Sequence, residues 1–98
     1  MGGLRFEWDK RKAAVNLRKH GVIFEEAESV FSDERALLLK DPAHSIDEDR
    51  FLLIGLSAAL RALVVCHCYR QSDDVIRIIS ARKATRAEQR QYSRRWLT

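Results

Sequence analysis

Val75-Ile-Arg-Ile-Ile-Ser-Ala-Arg-Lys-Ala-Thr85 begins as an alternating β-branched run and ends at a helix start. Thr85 and Glu88 have the T-x-x-E spacing of a capping box, in which hydroxyl and carboxylate satisfy orphan backbone N–H groups reciprocally. Arg82 and Lys83 are thereby placed at a strand-to-helix corner, beside the positive end of a helix dipole. Residues 75–98 hold seven Lys/Arg and one acid, a local +6, while the remainder carries 11 bases and 13 acids. The sequence therefore points to this segment for a polyanion site.

Ninety-eight residues suit one domain, 1–98, with a single modest core. A hydrophobic content of 46% with one proline and four glycines describes a globular chain, not a disordered tail. The net charge of +4 favours an acidic partner such as nucleic acid. No apolar run approaches the ~18 residues of a membrane span, and no signal peptide is recognisable, so a cytoplasmic protein is expected. Cys66 and Cys68 alternate with His67 in a strand-like run, which puts His67 on the opposite face from both. That pattern reads as buried, reduced thiols and no metal site, and no cofactor is expected.

Working outward, Met1-Gly2-Gly3 reads as a flexible start and Leu4–Trp8 as a short alternating strand. Asp9 is a natural N-cap for a helix from Lys10 to His20, closed by Gly21. Ile23, Ala27, Val30 and Phe31 mark the apolar face of a second helix. Ala36–Leu39 is a strand stopped by Asp41-Pro42, and an acidic loop, 43–49, follows. Arg50–Leu56 and Ala62–Tyr69 are further strands, and Arg86–Trp96 is the terminal helix. The order β-α-α-β-β-β-β-α predicts an α+β fold: a small antiparallel sheet with the helices packed on one face.

A five-residue loop at 70–74 pairs His67 with Arg77 and puts His67, Tyr69 and Arg77 on one face. Val64, Cys66, Cys68, Ile76 and Ile78 then form the apolar face under the helices. A four-residue turn at 57–60 adds Arg50 to the polar face; a three- or five-residue turn flips it away. Such a face suits a phosphate backbone: arginine forks match phosphate oxygens, histidine moves protons near neutral pH, and tyrosine stacks on bases. Two structural alternatives stand beside this one. Arg50 and Arg77 can pair with Glu48 or Asp49 and merely solvate the sheet, and His67 can be a satisfied core histidine. The stripe Arg86, Arg90 and Arg94 is a nucleic-acid contact or a solvated helix face.

Phe6-Glu-Trp-Asp9, Asn16-Leu-Arg-Lys-His-Gly21, Phe24-Glu-Glu-Ala27 and Ile78-Ile-Ser-Ala-Arg-Lys-Ala-Thr85 together resemble the BrnT toxins, from about Phe6 to Tyr92. Phe31-Ser-Asp-Glu34 departs from the Asp-Pro that the family often has there. The resemblance implies a RelE-like fold and a ribonuclease that halts translation. It also implies a cognate BrnA-like antitoxin in a heterotetramer of two toxins and two antitoxins, with operator DNA bound only through the antitoxin.

Metal-independent RNA cleavage uses the ribose 2′-hydroxyl as nucleophile and needs a base, an acid and cationic stabilisation of the phosphoryl oxygens. The expected roles are phosphate stabilisation by Arg77, Arg82 and Arg50, and proton transfer by His67 or Glu48. Lys83, Tyr69 and Arg86 position the substrate. The alternative is a non-catalytic module that binds nucleic acid or a protein partner through the same basic surface.

Overall fold

The structure, a computed structural model, describes residues 4–42, 50–70 and 74–97. Its elements are β1 (Arg5–Glu7), α1 (Lys10–His20), α2 (Phe24–Ser29), a 3-10 turn (Val30–Ser32), β2 (Leu37–Lys40), β3 (Phe51–Leu56), β4 (Ala62–Arg70), β5 (Val75–Lys83) and α3 (Arg86–Leu97). The strands lie in the order β1-β5-β4-β3-β2. From β2 to β5 they form an antiparallel meander, as short connections require. The sheet is nevertheless mixed, which corrects the wholly antiparallel expectation: β1 runs parallel to β5, setting Phe6 beside Ile76 and Glu7 beside Arg77. Residues far apart in sequence set this pairing, so local pattern does not reveal it.

The helices occupy both faces of the sheet, not one. Ala13 of α1, Phe24 and Ala27 of α2, and Val30 pack with Leu53, Leu63, Val65, Ile78 and Ala81. On the reverse face, Ala84 and Tyr92 cover Ile54 and Val64, flanked by Leu37, Leu39, Leu52, Leu56 and Ala62. β3 and β4 are therefore apolar on both sides, with Leu53, Ile54, Leu63, Val64 and Val65 all buried. In α2 the anchor is Phe24; Ile23 is the N-cap residue and 44% exposed.

α1 forms where the sequence places it. Asp9 accepts from the Arg11 and Lys12 amides at 2.7 and 3.2 Å, and Gly21 closes the helix at φ 68°. Its buried polar residue, Asn16, clasps α1 to β5. The Asn16 amide donates to the Val22 and Ala81 carbonyls at 2.9 and 2.8 Å and accepts from the Ala81 N–H at 3.0 Å. Asn16→Ala should lower stability by on the order of 3 kcal/mol, because buried backbone groups lose their partners. A urea midpoint that does not move would show that water replaces the clasp.

Gly55 sits where a side chain has no room. A Cβ there would lie 2.9 Å from an Asp33 carboxylate oxygen and 3.0 Å from Val30 and Ala36 atoms. That close approach lets Asp33 accept from the Leu56 N–H at 2.8 Å and from the Tyr92 hydroxyl. Tyr92 thereby ties α3 to the exit of the 3-10 turn, fixing where α3 stops covering its face.

Candidate active site on the sheet face beyond helix α3

The register of the meander decides which side chains share this face. β3 and β4 pair Phe51 with His67 and Leu56 with Ala62, leaving a five-residue connection at 57–61. β4 and β5 pair Cys68 with Arg77 and His67 with Ile78, one residue away from the expected His67–Arg77 register. A slip of one residue exchanges the faces. Two such slips move Arg50 and Arg77 together onto the Cys66/Cys68 face and leave His67 on the other.

A bulge completes the arrangement. Between Cys66 and His67 the ladder shifts, so that Cys66 faces Ser80 and Val64 faces Arg82, and Ile79 is the extra residue. Arg77 and Arg82 are five apart and would oppose each other on a regular strand. The bulge restores both to one face. Strand β5 runs on to Lys83, so the bulge alone brings Arg82 round.

Arg50 and Arg82 line a cleft of about 260 Å³ with Asp41, Leu52, Val64, Cys66, Ile79 and Ser80. The Arg82 fork is held by Glu88, with N–H···O distances of 2.7 and 2.8 Å, and Nη1 also donates to the Lys83 carbonyl at 3.3 Å. Three of its five donors are used, leaving Nε–H and one Nη2–H for a ligand. Glu88 in turn accepts from the Thr85 N–H at 2.8 Å, and its own N–H donates to Thr85 Oγ1 at 3.2 Å. The capping box is thus present, and it also aims the arginine.

The Arg82 guanidinium, aided by the Thr85 amide, holds the Glu88 carboxyl down at about 2, against burial, from an ordinary value near 4.5. A carboxylate with a lowered folded value stabilises the fold above its unfolded value and loses that contribution as protons bind. Melting temperature should therefore fall as pH drops from about 4.5 toward 2. The Glu88→Gln variant should be less stable at neutral pH by up to about 1 kcal/mol, after solvent screening, and flatter across that window. Parallel melting curves for the two proteins would deny Glu88 that role.

At the cleft floor the Cys66 thiol is pushed up to about 11 by burial and by the Asp41 carboxylate. It stays protonated at neutral pH and is no nucleophile. Both cysteines are buried and free. Among the described residues, no three His, Cys, Asp or Glu side chains come together as metal ligands.

The other expected residues lie elsewhere. Arg77 is on the arginine face but bonds Glu7 of β1 at 2.9 Å, and Arg70 lies 3.6 Å from the same carboxylate. Lys83 faces Leu63, on the α1–α2 side, and is exposed; Arg86 is exposed at the start of α3. Glu48 lies outside the described residues.

His67 is fully buried, contrary to the expectation of an open face. It packs against Phe31 at 4.8 Å and Phe51 at 6.1 Å, and its Nδ1 bonds the Val65 carbonyl at 3.1 Å. Tyr69 is half-buried in the same aromatic cluster, its hydroxyl 3.4 Å from His67 Nε2. Neither ring shares a surface with the arginines.

The cations of α1 are not among the site residues expected from the sequence. Lys10–His20 contains five Lys/Arg and no acid, a run visible in a charge window but cancelled when averaged with the 13 acids of residues 1–74.

The family model described as ribonuclease toxin, BrnT, of type II toxin–antitoxin system matches residues 8–88. Among solved structures, the crystal structure of the Brucella abortus ribonuclease toxin BrnT aligns with a TM-score of 0.64 at 24% identity. It covers 85% of this chain and 99% of that one, a likeness of fold. No curated protein matches the chain by sequence.

Proposed function

The chain belongs to the BrnT family of type II toxin–antitoxin ribonuclease toxins, and we propose that it cleaves RNA without a metal at the cleft between Arg50 and Arg82. The observation that carries this reading is that Arg50 and Arg82 line the same cleft of the sheet. In the reaction the 2′-oxygen forms a bond to the adjacent phosphorus and the bond from phosphorus to the 5′-oxygen breaks. The 2′-hydroxyl proton goes to a base, and the leaving 5′-oxygen takes a proton from an acid. The products are a 2′,3′-cyclic phosphate and a 5′-hydroxyl.

Arg82, held rigid by Glu88, and Arg50 stabilise the charge that develops on the non-bridging oxygens. Arg77, restrained by Glu7, neutralises a phosphate one step along the face. With His67 buried, we assign proton transfer to Glu48, two residues before Arg50 in the chain. Cleavage of a defined RNA by the purified protein in EDTA tests the reading, with the product ends identified. Cyclic phosphate ends support it. Tight RNA binding with no cleavage returns the non-catalytic alternative.

The family's type II organisation carries the remainder of the proposal: a RelE-like toxin that blocks translation in the cytoplasm and is neutralised by a BrnA-like antitoxin. In that assembly two toxins and two antitoxins combine, and the antitoxin binds operator DNA. Expression of the chain alone should arrest growth, and co-expression of the antitoxin should relieve it. Among the described residues, no helix is long and apolar enough to cross a membrane.

A further inference from the structure

A second groove opens on the other side of the β5 bulge. It has a volume of about 280 Å³ and is lined by Arg11, Lys12, Lys19 and His20 of α1 together with Ile79 and Ser80. Ile79 and Ser80 also line the arginine cleft, so the two depressions meet at the bulge. Three of the five Lys/Arg of α1, Arg11, Lys12 and Lys19, line it, and α1 contains no acid. Each depression falls below the roughly 300 Å³ at which small-molecule pockets begin. They share two lining residues, so an extended polyanion lying in one can pass over Ile79 and Ser80 into the other.

We propose that the α1 groove is the second half of a single-stranded RNA track, holding phosphates that flank the one bound between Arg50 and Arg82. The proposal rests on the ribonuclease reading for the identity of the polyanion. Shape favours RNA over an acidic protein helix here. The cations sit at both ends of α1, and the groove they border shares Ile79 and Ser80 with the arginine cleft, a path round the bulge that a flexible single strand can follow and a rigid helix cannot. Val15, 48% exposed on the same groove wall, gives a base an apolar surface to rest on.

Binding of 2′-O-methyl RNA, which cannot be cleaved by its own 2′-oxygen, tests the track independently of catalysis. Oligonucleotides of three and nine nucleotides are titrated into the wild-type protein and two triple variants. One is Arg11→Gln/Lys12→Gln/Lys19→Gln. The other removes equal charge from α3 as Arg90→Gln/Arg94→Gln/Arg95→Gln. The wild type should bind the nine-mer at least tenfold more tightly than the three-mer. The α1 variant should lose that gain, so that both lengths bind alike, and its salt slope for the nine-mer should fall by about 2, the value for three phosphates on a single strand. The α3 variant should keep the gain.

A length gain that survives in the α1 variant, or that both variants lose equally, overturns the track. So does an α1 variant that binds the nine-mer normally but no longer binds poly-L-glutamate, which would make this a protein-docking face. Wild-type protein that shows the α1-dependent gain yet cleaves no unmodified RNA leaves the track standing and defeats the ribonuclease reading instead.

Discussion

Arg82→Ala should cut RNA cleavage by about a hundredfold, equivalent to about 2.7 kcal/mol of lost transition-state stabilisation. Arg50→Ala should cause a loss of similar size. The melting temperature should move far less. Arg82 is partly exposed, so its pair with Glu88 contributes little beyond a surface ion pair. Lys at position 82 should rescue poorly, because an ammonium cannot bond Glu88 through two parallel donors and still offer two more to a phosphate. Arg77→Ala should cost less than Arg82→Ala, since Glu7 already neutralises that guanidinium. Cleavage at wild-type rate by both Arg82→Ala and Arg50→Ala would move catalysis off this face.

His67→Ala should lower stability by about 3 kcal/mol, the cost of emptying a buried ring site, and leave the turnover of the remaining folded protein unchanged. His67→Phe, which fills the same aromatic cluster, should fold and cleave. Burial lowers the ring's affinity for a proton below its ordinary value near 6.5, while the Val65 carbonyl acts the other way. A group with a lowered folded value contributes stability above its unfolded value and loses it as protons bind. Wild-type stability should therefore fall as pH drops below about 6.5, and His67→Phe should lack that component. A folded His67→Phe protein with no RNA cleavage would reinstate the histidine as a proton-transfer group.

The arginines and the histidine show what the sequence could and could not disclose. Asp9, Gly21 and the Thr85/Glu88 box are local devices, and each is found where its pattern places it. Strand identity was legible from β-branched alternation, but the faces were not, because one residue of register exchanges them. The expected turn at 57–60 is one residue longer, and the expected pairing of His67 with Arg77 is His67 with Ile78. Both errors have the same parity, so Arg50 and Arg77 stay together while His67 leaves them. The bulge at Ile79, invisible in a run of β-branched residues, is what adds Arg82. Glu7 was missed as the partner of Arg77 for another reason: nothing between residues 7 and 77 signals that β1 closes the sheet beside β5. The run of cations in α1 was legible, and was lost by weighing charge over large blocks.

The claim that the arginine face engages RNA is tested most directly by nuclear magnetic resonance on protein labelled with nitrogen-15. A non-cleavable 2′-O-methyl trinucleotide is added stepwise. The guanidinium Nε–H signals of Arg50 and Arg82 and the amides of Cys66 and Ser80 should shift together and saturate, while the His67 and Tyr69 ring signals stay in place. Saturating shifts confined to the surface around Tyr69 and Phe51, with the Arg50 and Arg82 signals unmoved, would contradict the account.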